Sequence, residues 1–164
     1  MDRSGKTQGK NDSQSGICVM SVSFGELKTD HIPRIVEIEN LSFAEPWSKD
    51  GFRDILVNPS FRSLGIFSDR LLAGYIFYYI VMDELHVMNI AIDPLFRKQG
   101  LGFKLLEKIH EMAKGFGVKL DYLEVRQTNE AAQKLYEKLG YKKQGRRIGY
   151  YPNQEDALLM YKDL

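Results

Sequence analysis

Two residues in the second half of the chain have types and positions suited to proton transfer. Glu124 lies in segment 123–126 (LEVR), where apolar residues alternate as in a β-strand. This alternation places Glu124 on one face with Leu120 and Tyr122, and an apolar environment raises the pKa of a carboxyl toward neutrality. Such a carboxyl is an effective general base. Arg126 shares that face, so the competing interpretations are an ion pair between Glu124 and Arg126 or a solvated position at a sheet edge.

Tyr136 is the matching candidate for a general acid. A phenol has a pKa of about 10, so it is protonated at neutral pH and can donate to a leaving group. Tyr136 also stands at helical spacing from Ala132 and Leu139, so the competing interpretation is a core aromatic residue whose hydroxyl finds a partner. Asn129, at the start of the same helix, is suited either to capping it or to binding a ligand amide.

The turn before a long predicted helix is suited to holding a phosphate chain. Residues 89–92 end a predicted strand, and Gly100 and Gly102 open the helix that follows. A helix N-terminus presents unpaired N–H groups and the positive end of the helix dipole, and glycines let a pyrophosphate approach the backbone. Arg97 and Lys98 add positive charge. The competing interpretation is a loop that needs glycine for its own backbone, with solvated basic residues on its rim.

Two familiar phosphate loops do not fit this turn. A dinucleotide fingerprint would need a third glycine where Leu105 stands, and the Gly-Lys-Ser/Thr ending of a P-loop is missing from the turn. The pattern therefore disfavours a nucleoside triphosphatase and a nicotinamide-dependent enzyme.

Two aromatic segments are suited to lining a peptide groove. Tyr150 and Tyr151, followed by Pro152, lie at the end of a predicted strand, where the two phenol rings could close over a peptide or pack against a sheet edge. Pro46 and Trp47 lie in a loop between two predicted helices. The Trp47 side chain could form a wall of the same groove or fill the core.

These candidate residues depend on an ordered series of strands and helices. Hydrophobic spacing and turn residues predict strands at residues 17–24, 61–67, 71–82, 85–92, 118–126, 141–150 and 157–161, and helices at 30–41, 48–57, 100–115 and 129–139. Short connections within 61–92 predict antiparallel neighbours. The order βααβββαβαββ indicates an α+β, mixed-sheet architecture.

Composition excludes several classes of protein. The chain has 164 residues, 43% hydrophobic and 27% charged, with a formal net charge of +1. We expect one globular domain over residues 17–164, preceded by a disordered polar tail at residues 1–16, and no direct binding to nucleic acid. Cys18 is the only cysteine, the three histidines lack metal-ligand spacing, and no segment is long and apolar enough to span a bilayer. We therefore expect no metal site, no membrane contact and a cytoplasmic location.

Together, these segments resemble the GNAT superfamily of acetyltransferases from about residue 43 to the C-terminus. Five motifs stand in the family's order: Pro46-Trp47-Ser48, the strand and turn 89–94, Arg97-x-x-Gly100-x-Gly102, the segment 123–141 with its Glu-Val-Arg, Leu-Tyr-Glu and Leu-Gly-Tyr runs, and Tyr150-Tyr151-Pro152. The Arg-x-x-Gly-x-Gly element is common to the superfamily. The Glu-Val-Arg, Leu-Tyr-Glu and Tyr-Tyr-Pro set is narrower and is most similar to bacterial ribosomal-protein alanine N-acetyltransferases and archaeal N-terminal acetyltransferases.

The resemblance implies a mixed, mostly antiparallel central sheet flanked by helices, with acetyl-CoA as co-substrate. It implies that the backbone of Ile90, Ala91 and Ile92 meets the acetyl and pantetheine portions. Asn129 and Tyr136 match positions that contact the cofactor. The loop that would hold the pyrophosphate consists of Arg97, Lys98, Gln99, Gly100, Leu101, Gly102 and Phe103.

The resemblance also implies direct attack of an amine on bound acetyl-CoA, with Glu124 as base and Tyr136 as acid. This route agrees with the lack of a credible Cys or Ser nucleophile. An α-amine has a pKa near 7.7–8.0 and a lysine about 10.4, so the predicted acceptor is a protein N-terminus, with a ribosomal protein as the candidate that the resemblance implies. The residues that would contact the peptide are Pro46, Trp47, Tyr150 and Tyr151.

Two residues depart from the family pattern. Glu45 precedes Pro46 where an apolar residue is expected, and His86 is suited either to assisting deprotonation or to facing a neighbour within a strand. Two other functions stay open: acetylation of lysine side chains or small-molecule amines, and a coenzyme A-binding module without turnover. The module predicts cofactor binding without thiol release, and the presence of both Glu124 and Tyr136 counts against it.

Overall fold

The computed structural model describes residues 21–164. The predicted polar tail at residues 1–16, Cys18 and the first part of the strand predicted at residues 17–24 lie outside the described residues. The described part of that strand forms β1.

The described elements follow the predicted order. The strands are β1 (Val22–Gly25), β2 (Phe61–Ser68), β3 (Leu71–Val81), β4 (Glu84–Ile92), β5 (Leu120–Arg126), β6 (Lys142–Arg147) and β7 (Ala157–Asp163). The helices are α1 (Ile32–Ser42), α2 (Lys49–Val57), α3 (Leu101–Gly115) and α4 (Glu130–Lys138), with short 3-10 turns at Thr29–His31 and Pro94–Phe96. The strand predicted at residues 141–150 is shorter in the structure. β6 ends at Arg147 because the chain turns at Gly149, whose φ is 60°.

The seven described strands form one sheet in the order β1-β2-β3-β4-β5-β7-β6. β4 and β5 run parallel, and the other neighbouring pairs are antiparallel. Tight turns join β2 to β3 and β3 to β4, whereas β4 reaches β5 through α3, the kind of crossover that a parallel pair requires. The predicted mixed, mostly antiparallel sheet flanked by helices is confirmed.

Helices cover both faces of the sheet and create two apolar cores. The core beneath α3 and α4 includes Leu105, Ile109 and Val125. The core beneath α1 and α2 is built around Phe52 and Tyr75, whose ring centroids lie 5.9 Å apart. Among the described residues, this second core includes none from β5. The side chains of Tyr122, Glu124 and Arg126 on this side of β5 are only half-buried, and we call it the open face of β5. Within residues 21–164, no helix combines the length and the apolar character needed to cross a bilayer.

Candidate active site

A gap opens in the sheet where β4 and β5 separate. In the described chain the two strands pair over three residues, ending at His86 and Tyr122. β4 continues to Ile92 and β5 to Arg126, so each strand presents a stretch of backbone edge to the gap. A register shift at Met88 bulges β4 at this point. Backbone N–H and C=O groups at such an edge need partners, which a ligand bearing amides can supply.

The loop from β4 into α3 ends in a helix N-terminus without a side-chain cap. Gly100 occupies the N-cap position with a φ of 76°, and no side chain of the described residues bonds to the free N–H groups there. The first intrahelical bond runs from the Lys104 N–H to the Gly100 carbonyl at 3.0 Å. The N–H groups that precede it belong to Leu101, Gly102 and Phe103. This is the backbone geometry that an anion site requires.

Close packing holds this helix start against the sheet. A Cβ on Gly102 would lie 3.2 Å from a methyl carbon of Leu135 in α4 and 3.7 Å from Ile92 in β4, so glycine permits the close approach of the three elements. The Leu101 side chain is buried, and the Phe103 ring lies 5.4 Å from the Lys138 ammonium. Leu101 can therefore serve a ligand only through its backbone.

Arg97 braces the loop from outside. Its Nε donates to the Ile92 carbonyl at 2.9 Å, and its Nη2 donates to the Ser42 hydroxyl at 2.9 Å. Lys98 and Gln99 are exposed on the rim of the same loop, and Lys98 has a positive φ of 60°. The contribution of these three side chains to anion binding stays a prediction.

Glu124 lies on the open face of β5, but its surroundings are not the apolar ones predicted. Arg147 Nε lies 3.0 Å from the Glu124 Oε1 atom. The Tyr150 phenol donates to the same carboxylate, and this hydrogen bond, aided by burial, raises the pKa of Tyr150. The alternative ion pair with Arg126 was also wrong. Alternation along β5 could not reveal Arg147, because it reaches Glu124 from β6, across the intervening strand β7.

Tyr136 lies on the other face of β5. Its side chain is 5% exposed, in the core beneath α3 and α4. Burial raises the pKa of the Tyr136 phenol above its usual value, and the negative charge of Asp121 and the nearby Tyr151 reinforce this effect. A raised pKa keeps the phenol protonated, as a general acid requires. Glu124 and Tyr136 therefore flank β5 from opposite faces of the sheet.

Arg126 joins the two loops beside the open face. Its Nη2 lies 2.7 Å from Glu45 in the loop after α1, and its Nη1 lies 3.0 Å from Glu155 in the loop before β7. Its guanidinium carbon lies 3.8 Å from the centre of the Tyr151 ring. Hydrogen bonds from Thr128, together with the Arg126 contact, lower the pKa of Glu155 to about 2. Glu45, which departs from the family pattern, thus forms an ion pair with Arg126 of the same chain.

The sequence interpretation missed the roles of Arg147 and Glu155 beside the site. Each makes its contact across more than twenty residues of sequence and is one of many charged residues in the chain. No local spacing distinguishes them. The departure at Glu45 is a signal only for a basic partner, which the structure identifies as Arg126, and it points to neither Arg147 nor Glu155.

Trp47 and Asn129 make the contacts that their structural interpretations predict, which are packing in the core for Trp47 and capping of a helix for Asn129. Trp47 packs its ring 5.7 Å from that of Phe52 in the core beneath α1 and α2, while the neighbouring Pro46 is exposed. Asn129 caps α4 by accepting a hydrogen bond from the Ala132 N–H at 3.1 Å. Ligand contacts by these residues stay predictions.

Tyr150 and Tyr151 lie in the loop between β6 and β7 rather than at a strand end, with their ring centroids 5.2 Å apart.

His86 faces neighbouring strands: its ring stacks 4.8 Å from Tyr79 and 5.3 Å from Tyr122. Its Nε2 lies 2.9 Å from a Glu84 carboxylate oxygen. Residues 21–164 contain no group of three or more His, Cys, Asp or Glu side chains placed to hold a metal ion.

The fold, the gap between parallel strands and the glycine-opened helix define a class of protein. The acetyltransferase (GNAT) family pattern matches residues 32–141. The chain therefore belongs to the GNAT family and is an acetyltransferase.

Two relatives in this family and one further protein with the same fold are similar to the chain. A Bacillus subtilis (strain 168) protein, provisionally named as a [ribosomal protein bS18]-alanine N-acetyltransferase, is 42% identical over 137 residues, covering 82% of this chain and 91% of that protein. The crystal structure of the Escherichia coli ribosomal-protein-S18-alanine N-acetyltransferase has a TM-score of 0.82 and 33% identity, with 87% of this chain and 94% of that chain covered. Arabidopsis thaliana NAA60 in complex with acetyl-CoA shares the fold, with a TM-score of 0.78 at 16% identity, covering 88% and 99%.

Gly100→Ala is expected to weaken coenzyme A binding by about tenfold or more, because a Cβ would project into the predicted phosphate site beside the backbone. The protein itself leaves that space open, so the cost in folding stability is only the left-handed backbone strain, about 1–2 kcal/mol. Gly117→Ala is the matched control, since Gly117 has a φ of 77° and equally open surroundings beyond the far end of α3. Calorimetric titration with coenzyme A should separate the two variants; equal affinities would contradict the phosphate site.

Proposed function

We propose that this acetyltransferase transfers the acetyl group of acetyl-CoA to the N-terminal α-amine of a protein, with Glu124 as base and Tyr136 as acid. The observation that carries the proposal is the gap between β4 and β5, with a glycine-opened helix N-terminus beside it and these two side chains on either face of β5. The name of the E. coli relative, which acts on the alanine of a ribosomal protein, supports the choice of acceptor.

Acetyl-CoA fits the residues that line this gap. The free edge of β4 at Ile90, Ala91 and Ile92 offers backbone groups to the pantetheine amides, and the first turn of α3 offers N–H groups to the pyrophosphate. When bound, the thioester supplies an activated acetyl group. Asn129 caps α4 and Tyr136 lies within it, and Leu135 of this helix packs against Gly102 at the start of α3.

The two proton transfers are balanced in this scheme. Glu124 accepts the proton that the α-amine loses, either directly or through a water. The amine nitrogen forms a bond to the acetyl carbon as the carbon–sulfur bond breaks. Tyr136 then gives its proton to the departing sulfur, and the second proton that the nitrogen loses as it becomes an amide nitrogen returns through water to the Tyr136 phenolate, while Glu124 releases its own proton to the solvent. Because Glu124 and Tyr136 flank β5 from opposite faces, the acceptor approaches from the open face while the leaving group lies toward the core beneath α3 and α4.

The open face suits a peptide. Tyr150 and Tyr151 stand beside Glu124, and the Glu45–Arg126–Glu155 contacts hold the loops on both sides of them. At neutral pH an α-amine, with a pKa near 7.7–8.0, is far more often unprotonated than a lysine at about 10.4. The acceptor we propose is therefore a free N-terminus, and a ribosomal protein that begins with alanine is the substrate suggested by the relatives. A ribosomal substrate places the action of the enzyme in the cytoplasm.

The test is thiol release from acetyl-CoA with a panel of short peptides. The panel varies the first residue across Ala, Ser, Met and Glu, and includes one peptide with a blocked N-terminus and an internal lysine. Release with free N-termini, highest for Ala, is the expected result, and mass spectrometry should place the acetyl group on the first residue.

Two other outcomes of the thiol-release assay would indicate a different function. Release with the blocked lysine peptide would make the protein a side-chain acetyltransferase. Binding of coenzyme A without release on any peptide would favour a small-molecule acceptor or a module without turnover.

A further inference from the structure

A buried carboxylate on α1 lies outside the proposed chemistry. Glu39 is only 1% exposed, and it accepts hydrogen bonds from three donors. The Trp47 backbone N–H lies 2.9 Å from Oε1, the Asn89 side-chain amide lies 3.1 Å from Oε2, and the Tyr75 hydroxyl also bonds to Oε2. Its partners among residues 21–164 are all neutral. A carboxylate without a cation is costly to bury, so all of these hydrogen bonds matter to it.

Two of the three partners belong to different parts of the site, and the third lies in the core. Trp47 lies in the loop at residues 43–48, beside the open face that we assign to the peptide. Asn89 lies in β4, next to the bulge at Met88 and directly before the edge assigned to acetyl-CoA. Tyr75 lies in β3, within the core. One carboxylate therefore ties the acceptor loop to the donor strand.

We propose that Glu39 is a positioning residue, which sets the spacing between the loop that receives the peptide and the strand that holds acetyl-CoA. This inference rests on the proposed function. Glu39 touches neither substrate; it acts through the Trp47 backbone and the Asn89 amide. Transfer between two bound reactants is sensitive to such spacing, and a misplacement of about 1 Å can cost about 10²-fold in rate.

The bonding pattern requires an acceptor at both carboxylate oxygens. Glutamine has the same shape but only one acceptor oxygen, and its amide would direct N–H groups at the N–H groups of Trp47 or Asn89. Glu39→Gln therefore breaks the link between loop and strand with little change in volume. Tyr75→Phe is the matched control, because it removes one hydrogen bond from the same carboxylate and leaves the contacts with Trp47 and Asn89 in place.

Steady-state kinetics on the best peptide of the panel test the inference. Glu39→Gln is expected to lower kcat/KM for the peptide by about 10- to 100-fold, through a higher peptide KM and a lower kcat, while KM for acetyl-CoA stays within about threefold. Tyr75→Phe is expected to keep the peptide constants within about threefold, although it too lowers the melting temperature. A purely structural role would predict parallel losses in the two variants, scaled by their melting temperatures.

A donor–acceptor exchange provides the second variant. In Glu39→Gln combined with Asn89→Asp, the new amide can donate to the new carboxylate while its oxygen still accepts from Trp47, so about tenfold or more of the lost kcat/KM should return. If Glu39→Gln alone does not fold, the exchange variant and Tyr75→Phe still decide between the two roles. Equal kinetics for Glu39→Gln and Tyr75→Phe, or a folded exchange variant without recovery, would overturn the inference. A wild-type protein that acetylates no peptide would overturn the proposed function, and that failure is seen before any variant is made.

Discussion

Glu124→Gln is expected to lower kcat/KM for a peptide with a free N-terminus by about 10²- to 10⁴-fold near pH 7, because the amine loses its proton acceptor. The deficit should shrink as the pH rises past about 8, since the α-amine, with a pKa near 7.7–8.0, then arrives already unprotonated. Thiol release measured from about pH 6 to pH 9 gives both the size of the effect and its slope. The affinity for coenzyme A should be unchanged, because Glu124 lies on the face of β5 away from α3.

The matched control for this change is Glu130→Gln. Glu130 is an exposed carboxylate in the first turn of α4, and its neutralisation should leave the pH profile of the wild-type enzyme intact. A Glu124→Gln loss of equal size at every pH, accompanied by weaker coenzyme A binding, would indicate damage to the site rather than loss of a base. Full activity in Glu124→Gln would remove Glu124 from the mechanism.

Tyr136→Phe is expected to lower kcat by about 10²- to 10⁴-fold with little change in the peptide KM, because the phenol acts only as the sulfur departs. An acetyl thioester of a more acidic thiol should reduce the deficit, since its thiolate leaves without a proton. The pKa of Tyr136 is raised above the usual value of about 10, so the wild-type enzyme should show no loss of activity from this group below about pH 10. Parallel pH profiles with acetyl-CoA and the activated thioester measure both effects.

Tyr141→Phe separates this role from the packing of a buried tyrosine. The Tyr141 ring lies 5.6 Å from that of Tyr136, and its hydroxyl donates to the buried Asp121, which also lies 2.7 Å from His110. Loss of that hydroxyl leaves a buried carboxyl short of a donor, at a cost of about 1–3 kcal/mol in the free energy of unfolding. The Tyr141→Phe enzyme should be less stable but retain kcat. An equal loss of kcat in both variants would count against Tyr136 as the acid.

Much of the fold follows from local patterns. Apolar alternation and helical spacing predicted every described strand and helix in the right order, because each element must bury its own apolar side chains. Ser48 caps α2 by accepting from the Gly51 N–H at 3.0 Å, a contact that spans three residues. The end of β6 was missed by three residues, since the turn at Gly149 depends on its contact with Asp156, whose carboxylate accepts the Gly149 N–H at 2.9 Å.

The candidate site was predicted less completely, because its contacts are not local. Glu124 was expected among apolar neighbours, yet Arg147 and Tyr150 reach it from a different strand and loop. The sequence predicts Trp47 either in the wall of a peptide groove or in the core, and no local pattern distinguishes the two positions. Its packing against Phe52 and the hydrogen bond from its backbone to Glu39 depend on how α1 and α2 meet the sheet.

The sequence by itself determined the class of this protein: the order of its elements, the glycine-opened helix, and the presence of one glutamate and one tyrosine suited to acetyl transfer. These features are carried by residue types at short spacing, where backbone geometry leaves few alternatives. Only the tertiary structure decided that Glu124 and Tyr136 flank β5 from opposite faces, that Arg126 joins two loops, and that Glu39 ties one of those loops to β4. Those arrangements depend on side chains meeting across the sheet and between distant segments, and no periodicity along the chain encodes such pairings.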